Sequence, residues 1–186
     1  MGRIINLINR VRLRLASPIK RADIMRSKMH FVGKNVQLFT ISFGTEPYLI
    51  SIHDNVVCAA NVGFITHDVS CFNVARYLKL SEGCLDKVGS IELHENCFVG
   101  ANSLLMPNCS VGRNSIVAAG SIVTSKIPDG EVWGGVPAKY IMSIEEYAKK
   151  TLDIVSDYPW MENNTKICKG LKLQKMREDY FFKSLD

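Results

Sequence analysis

The stretch that decides the fold runs from Leu93 to Pro128. Cut into sixes it reads LHENCF (93–98), VGANSL (99–104), LMPNCS (105–110), VGRNSI (111–116), VAAGSI (117–122) and VTSKIP (123–128). The first position is aliphatic every time: Leu93, Val99, Leu105, Val111, Val117 and Val123. The fifth is small in five of the six units, as Cys97, Ser103, Cys109, Ser115 and Ser121, with Ile127 closing the run. A period of six matches neither the helical period of about 3.6 nor the strand period of about 2. A short repeat at fixed spacing signals a solenoid of stacked strands. Side chains alternate across a strand, so the aliphatic position points inward and the small one sits near the bend. Three units close a triangle of eighteen residues, which stacks Leu93 on Val111, Val99 on Val117, Leu105 on Val123 and Ser103 on Ser121. Each coil then touches only its neighbours, and stability comes from stacking.

Outward from that run, the pattern begins near Val32 and slips at the turn signal Gly44-Thr45-Glu46-Pro47. It resumes over Ile52–Val69 and fails from Ser70 to about Ser90. Such an insertion in a solenoid projects as a loop beside the binding face; part of it, Phe72 to Leu80, is compatible with a turn or two of helix. Residues 1–16 are compatible with a basic amphipathic helix on Ile4, Ile5, Leu7, Ile8, Val11 and Leu15. Ser17-Pro18 breaks it, and a second helix from Lys20 to Met29 follows. After the turn-rich exit DGEVWGGVPAKYI, Ser143 and Glu146 form a capping box, Pro159 ends that helix, and another spans about Lys166 to Phe182. The division is therefore a helical segment over 1–30, a solenoid over 31–141 with a loop at about 70–90, and a helical segment over 142–186. A terminal helix is expected to cover the open strand edge of the solenoid.

The net charge of +5 is mild, and no basic stripe with interleaved aromatics marks a nucleic-acid reader. No apolar run is long enough for a membrane span, and the basic start lacks the apolar core of a secretory signal, so the sequence reads as cytoplasmic. The basic amino end is compatible either with packing on the solenoid end or a sister subunit, or with contact to an anionic membrane surface. The six cysteines form no CxxC or Cys/His cluster and are expected to be reduced structural thiols.

The sixes, the SFGTEPYLISIHDNV run, the FITHD step and the IPDGEVWGGVPAKYI exit resemble the hexapeptide-repeat acyltransferases, in particular the branch of galactoside, maltose and capsule-sugar O-acetyltransferases. The resemblance covers roughly residues 31–141. It implies a left-handed parallel β-helix, although crossovers between parallel strands are otherwise nearly always right-handed. It also implies a homotrimer with active sites between subunits, acetyl-CoA as donor, and a sugar or glycan-precursor hydroxyl as acceptor. By this resemblance His67, at the Thr-His step before the loop, is the catalytic base. Ala101 and Ala119 flank the pantetheine arm, Thr124 lies near the nucleotide, and Lys139 faces the phosphates. Ser42 stands where galactoside enzymes carry asparagine, and Glu46 and Tyr48 are further acceptor-pocket residues. Thr124-Ser125-Lys126 places the lysine one position later than the Thr-Lys of those enzymes.

The chemistry needs such a base. An alcohol is too weak an acid to attack a thioester unaided, and histidine takes a proton near neutral pH. A backbone N–H is the expected oxyanion donor, and direct transfer needs no acyl-enzyme. Asp68, Glu82, Asp86 and backbone carbonyls remain open as the group that fixes the imidazole tautomer. His53 and His94 occupy second positions of their sixes and are expected to face solvent; His30 has no motif. Three other readings compete. The first is an N-acetyltransferase on an amino-sugar nucleotide, which shares fold and donor. The second is a metal enzyme like the γ-class carbonic anhydrases, which needs three histidine ligands, whereas His67 and His94 stand alone in sequence; no metal is expected. The third is a non-catalytic solenoid.

Overall fold

Strands of two or three residues separated by sharp bends can bury one side chain each and pair only with the next coil. The computed structural model, which describes residues 11–81, 83–163 and 165–182, shows this arrangement. The first sheet holds β1 (Phe31–Val32), β3 (Ile50–Ile52), β6 (Ile91–Leu93), β9 (Cys109–Val111) and β12 (Lys126–Ile127). The second holds β2 (Gln37–Leu38), β4 (Val57–Cys58), β7 (Phe98–Val99), β10 (Ile116–Val117), β13 (Glu131–Gly134) and β14 (Lys139–Ser143); the third holds β5 (Gly63–Phe64), β8 (Leu104–Leu105) and β11 (Ile122–Val123). The chain visits first, second and third sheet in turn, and successive coils pair in parallel. This is the topology of a parallel β-helix.

The expected stack is present in register: Leu93 on Val111, Val99 on Val117 and Leu105 on Val123. These side chains, with Leu38, Ile52, Val62 and Phe64, are essentially inaccessible to solvent. The fifth-position residues are small because they lie inside the corners, and polar because they serve the corner backbone. Ser103 Oγ accepts from Ser121 N at 3.3 Å and donates to Ala118 O at 3.1 Å, and Ser121 Oγ donates to the same carbonyl at 2.6 Å. Ser115 Oγ donates to Pro128 O at 2.7 Å. Cys97 and Cys109 fill equivalent slots, where burial pushes both thiols up to about 12; the six cysteines are free.

The fourth position of the six carries a further constraint. Asn96, Asn102, Asn108, Asn114 and Gly120 all adopt positive φ, as do Asn35, Asn55 and Asn61 in the earlier coils. The corner needs a residue in the left-handed region, where a β-carbon costs energy and only glycine and asparagine sit readily. The asparagines also pair along the axis: Asn35 Nδ2 donates to Asn55 Oδ1 at 3.1 Å, Asn61 to Asn102 at 3.1 Å and Asn96 to Asn114 at 2.7 Å.

At the amino end, α1 (Pro18–Met25) is capped by Ser17, whose Oγ accepts from Lys20 N, and it buries Ala22 and Met25. It starts two residues earlier than expected because Pro18 fits the first helical turn, and it ends four residues short of Met29. Its arginines serve the open edge of the first coil. Arg21 Nη1 donates to Leu38 O at 3.2 Å, and Arg26 donates to Val32 O and, at 3.1 Å, to Gly33 O. This supports packing on the solenoid end for these residues; the apolar set Ile4, Ile5, Leu7 and Ile8 lies outside the described residues. At the far end the expected loop exit is instead an antiparallel pair, β13 with β14, so the strand pattern continues to Ser143, past the boundary at 141.

Residues from Glu145 onward form a second compact unit. The helix α3 (Ile144–Ser156) leads into it, followed by the hairpin of β15 (Met161–Glu162) with β16 (Thr165–Lys166) and by α4 (Gly170–Phe182). The last helix begins later than Lys166 because Thr165 and Lys166 are taken up by the hairpin. Trp160, Cys168 and Leu173 form its core, with Tyr158 stacked on Trp160 at 4.8 Å. Among the described residues no helix is long and apolar enough to cross a membrane.

The corner constraint is measurable. Asn114→Ala should destabilise the chain by about 1–2 kcal/mol, because alanine keeps the β-carbon in the left-handed region without the polar side chain that makes it tolerable and loses the bond from Asn96, while Asn114→Gly should lose less. Urea denaturation of the two variants checks this; equal losses would show that the backbone angle is not what selects the residue.

Candidate active site

The site is built where one early coil overlies the next. Gly44 turns with φ of +67°, and a β-carbon there would stand 2.7 Å from Thr66 Oγ1 and 2.8 Å from Phe64 O. Only glycine both takes this angle and lets the chain approach so closely. The turn then drops Thr45 and Glu46 onto the Thr66-His67 step, and Pro47–Leu49 forms one turn of 3₁₀ helix that leads back to β3. His67 follows β5 and forms an antiparallel bridge with Val88. The two ends of the inserted loop close around it: Asp68 N donates to Lys87 O at 2.8 Å and Gly89 N to Thr66 O at 2.9 Å. Inside the loop, α2 (Cys71–Tyr77) buries Cys71 and Ala75, and Phe72 stands edge-on to the imidazole with ring centroids 6.2 Å apart.

Glu46 is the group that holds the imidazole. Its Oε1 lies 3.1 Å from His67 Nδ1. Its Oε2 accepts from Thr45 Oγ1 at 2.6 Å and from Thr66 Oγ1 at 2.9 Å. The Thr45 hydroxyl does most to hold this carboxyl below its ordinary range, against the opposing effect of burial, with Thr66 and His67 adding to the shift. The carboxylate is therefore ionised at neutral pH, and Nδ1 is the protonated nitrogen that donates to it. Nε2 is buried with no hydrogen bond, although Asp86 Oδ1 stands 3.3 Å away within ion-pair reach. The histidine and Glu46 are mostly buried, and Asp86 is exposed.

Glu46 thus lies against His67, whereas the sequence reading places it in the acceptor pocket. Of the groups left open as partners, Asp68 is corrected by the structure: it is drawn to Lys87 Nζ at 2.6 Å, which together with Ser70 holds its carboxyl at about 2. Asp86 faces the other nitrogen, and Glu82 lies outside the described residues. Ser42 is exposed and bridges to Gly63 on the same sheet as the histidine's strand. Tyr48 lines a separate depression of about 330 Å³ with His30, Ser51 and Glu92. The contact of Thr45 and Thr66 with Glu46 is not marked in sequence; it becomes visible once the early coils are counted at 20 residues, the separation of Thr66 from Glu46 and of Asn55 from Asn35. The expectation for His53 and His94 is also corrected: they are half-buried and stacked on each other at 5.3 Å.

The four residues assigned to the donor fall on two edges. Ala101 follows β7 and its carbonyl accepts from Gly120 N at 2.8 Å, so Ala101 and Ala119 sit one above the other between second and third sheets. The edge is open there, since a β-carbon at Gly120 would meet nothing within 4 Å. Lys139 belongs to the same edge: it pairs with Gly134, while Gly135 and Ala138 bond to Ser121 and Ile122. Thr124 is on the other edge, between third and first sheets. It follows Val123, which stacks on Leu105 and Phe64, and so lies two coils above the start of the His67 step, about 10 Å along the axis at strand spacing.

The profile of the bacterial transferase hexapeptide family (six repeats) matches residues 90–125. Protein CapG of Staphylococcus aureus is 36% identical over 125 residues, 66% of this chain and 70% of that one. The galactoside O-acetyltransferase of Escherichia coli K12 is 33% identical over 124 residues, which spans 66% of this chain and 58% of the enzyme. Among solved structures, a hexapeptide-repeat acetyltransferase of Vibrio cholerae in complex with acetyl coenzyme A superposes with a TM-score of 0.56 at 16% identity, over 73% of this chain and 83% of that one; it shares the fold. The chain belongs to the bacterial hexapeptide-repeat transferase family and is an acyltransferase.

The loop clamp gives a pH prediction. The Asp68 carboxyl sits at about 2 against an ordinary 3.8, so its contribution is complete above the ordinary value and is lost as pH falls through about 2. Lys87→Ala should return the Asp68 carboxyl towards 3.8, read from its side-chain carbon shift in an NMR titration. An unchanged titration would show that the lysine does not hold the loop.

Proposed function

We propose that this protein is an acetyl-CoA-dependent O-acetyltransferase acting on a hydroxyl of a sugar or glycan precursor, on a left-handed β-helix assembled as a trimer. The observation that carries the reading is the Glu46–His67 pair, with Nδ1 held at 3.1 Å by the carboxylate and Nε2 without a hydrogen bond. A hydroxyl keeps its proton until the bond to carbon forms, so it needs a base with a fixed tautomer at the reacting face. A neutral amine attacks through a lone pair it already has, and gains less from such a pair. The donor supplies the acetyl thioester. His67 Nε2 takes the hydroxyl proton as the oxygen adds to the thioester carbonyl, and Glu46 stabilises the imidazolium. The same nitrogen returns the proton to the sulfur as the carbon–sulfur bond breaks. Thr45 and Thr66 keep Glu46 ionised and in place.

Donor binding is assigned to the open small-residue edge at Ala101 and Ala119, with Lys139 near its end for the phosphates. In one chain this edge is a full side of the coil away from His67. That separation supports a site completed by two subunits, with His67 and Thr124 from one and Ala101, Ala119 and Lys139 from another. Asp86 Oδ1 lies 3.3 Å from Nε2 and is assigned with Ser42 to the acceptor side. The name of the galactoside enzyme supports a sugar acceptor.

His67→Ala should lower kcat by about 100-fold or more while the chain stays folded. Glu46→Gln should lower kcat with little change in KM and shift the pH–rate profile, because the imidazolium loses its counter-charge. These are measured with acetyl-CoA and a panel of glycoside hydroxyls and amino sugars. Near-normal turnover in His67→Ala would overturn the mechanism, and preference for the amines would overturn the acceptor class.

A further inference from the structure

On the first–second sheet edge, away from His67, two histidines occupy equivalent places on consecutive coils. Ile52 pairs with Leu93, so the next residues, His53 and His94, stack with ring planes 18° apart. Both backbones are fixed: His53 N donates to Leu93 O at 2.8 Å and His94 N to Val111 O at 2.9 Å. Between the two side chains reaches Glu92 from the middle of β6. Its Oε1 is 3.0 Å from His53 Nε2 and its Oε2 is 3.8 Å from His94 Nε2. One donor atom from each of the three residues lies within 4.8 Å of the others.

We infer that His53, Glu92 and His94 form a zinc site that staples the coil before the inserted loop to the coil after it. Two imidazole nitrogens and one carboxylate are a donor set that Zn(II) takes, with a fourth position left to water. The spacing suits it. Donors about 2.0–2.1 Å from a tetrahedral centre stand about 3.3 Å from one another, and the approaches of the two Glu92 oxygens, Oε1 to His53 at 3.0 Å and Oε2 to His94 at 3.8 Å, lie on either side of that value. The outer groups are those a metal histidine needs. His53 Nδ1 faces Glu95 Oε1 at 3.5 Å, and Glu95 Oε2 is paired with Arg113 Nε at 2.9 Å. A carboxylate on the far nitrogen fixes the tautomer that leaves Nε2 free to ligate. Phe31 packs against the His53 ring at 5.2 Å and walls one side.

The location gives the site a purpose. Neighbouring coils in the regular run are linked by 18 residues of chain, but across the loop the separation is 41. A longer connection costs more entropy to close, and a metal bridge across this one interface offsets that cost where the chain itself constrains it least.

The test uses the full chain, freed of any polyhistidine tag and dialysed against chelator, titrated with Zn(II) alone by calorimetry. One zinc per chain is expected, with Co(II) giving the visible absorption of a tetrahedral site. His94→Ala and the isosteric Glu92→Gln should each abolish stoichiometric binding. Glu95→Gln should weaken it by about 10–100-fold through the outer carboxylate, and His67→Ala should bind as the parent does. Thermal unfolding should rise with zinc in the parent and not in His94→Ala. Absence of stoichiometric binding, or binding unchanged in Glu92→Gln and His94→Ala, would overturn the site and leave a pair of histidine–carboxylate ion contacts.

Discussion

The structure depends on one backbone requirement, a left-handed residue at nearly every corner. Without it a two-residue strand could not bend sharply enough to close a triangle, and the aliphatic first positions would not converge. Asn96, Asn102, Asn108 and Asn114 meet the requirement and then pair across coils, as Asn96 does with Asn114. Asparagine tolerates the angle because its short polar side chain bonds locally. The corner thus contributes a lateral hydrogen bond as well as a turn. The buried serines complete it from inside, since Ser103, Ser115 and Ser121 bind the backbone groups that the bend leaves unpaired.

The geometry around His67 inherits this rigidity. His67 is on a strand step whose backbone is bonded to the loop on one side and to the coil on the other. Glu46 is carried by a turn pressed so closely on that step that only Gly44 permits the approach. Both threonines that ionise Glu46 are fixed by the same contact. A polar network of this kind positions a side chain more firmly than packing alone, and it leaves His67 Nε2 as the ring nitrogen without a hydrogen bond.

Much of the architecture was legible from the sixes. The stacked pairs, the inward cysteines and the loop before Leu93 follow from a regular eighteen-residue period, and the structure reproduces them. The site was only half legible. His67 was marked by its Thr-His step, but its partner was sought among nearby acids, because the early coils do not keep the period. Counted at eighteen, Glu46 falls short of Thr66; at the actual spacing of 20 it lies on it. His53 and His94 read as solvent-facing for a related reason: the inserted loop hides that they are one coil apart. The exit after Pro128 reads as loop because its glycines obscure an antiparallel pairing with no six-residue period.

The arginines of α1 have a meaning for the size of the molecule. A stacked fold has no intrinsic length, because every coil presents the next one with the same row of backbone groups. Arg21 and Arg26 place guanidinium donors on carbonyls of Leu38, Val32 and Gly33 in the first coil. At the opposite end the chain folds back on itself through β13 and β14. Length is therefore fixed by these terminators, and the interior is modular. Gain or loss of chain is tolerated in whole coils, or at corners such as the one between Leu38 and Ile52, where the first coil is longer than the regular ones. A change of one residue within a strand would turn the inward column outward for every coil beyond it.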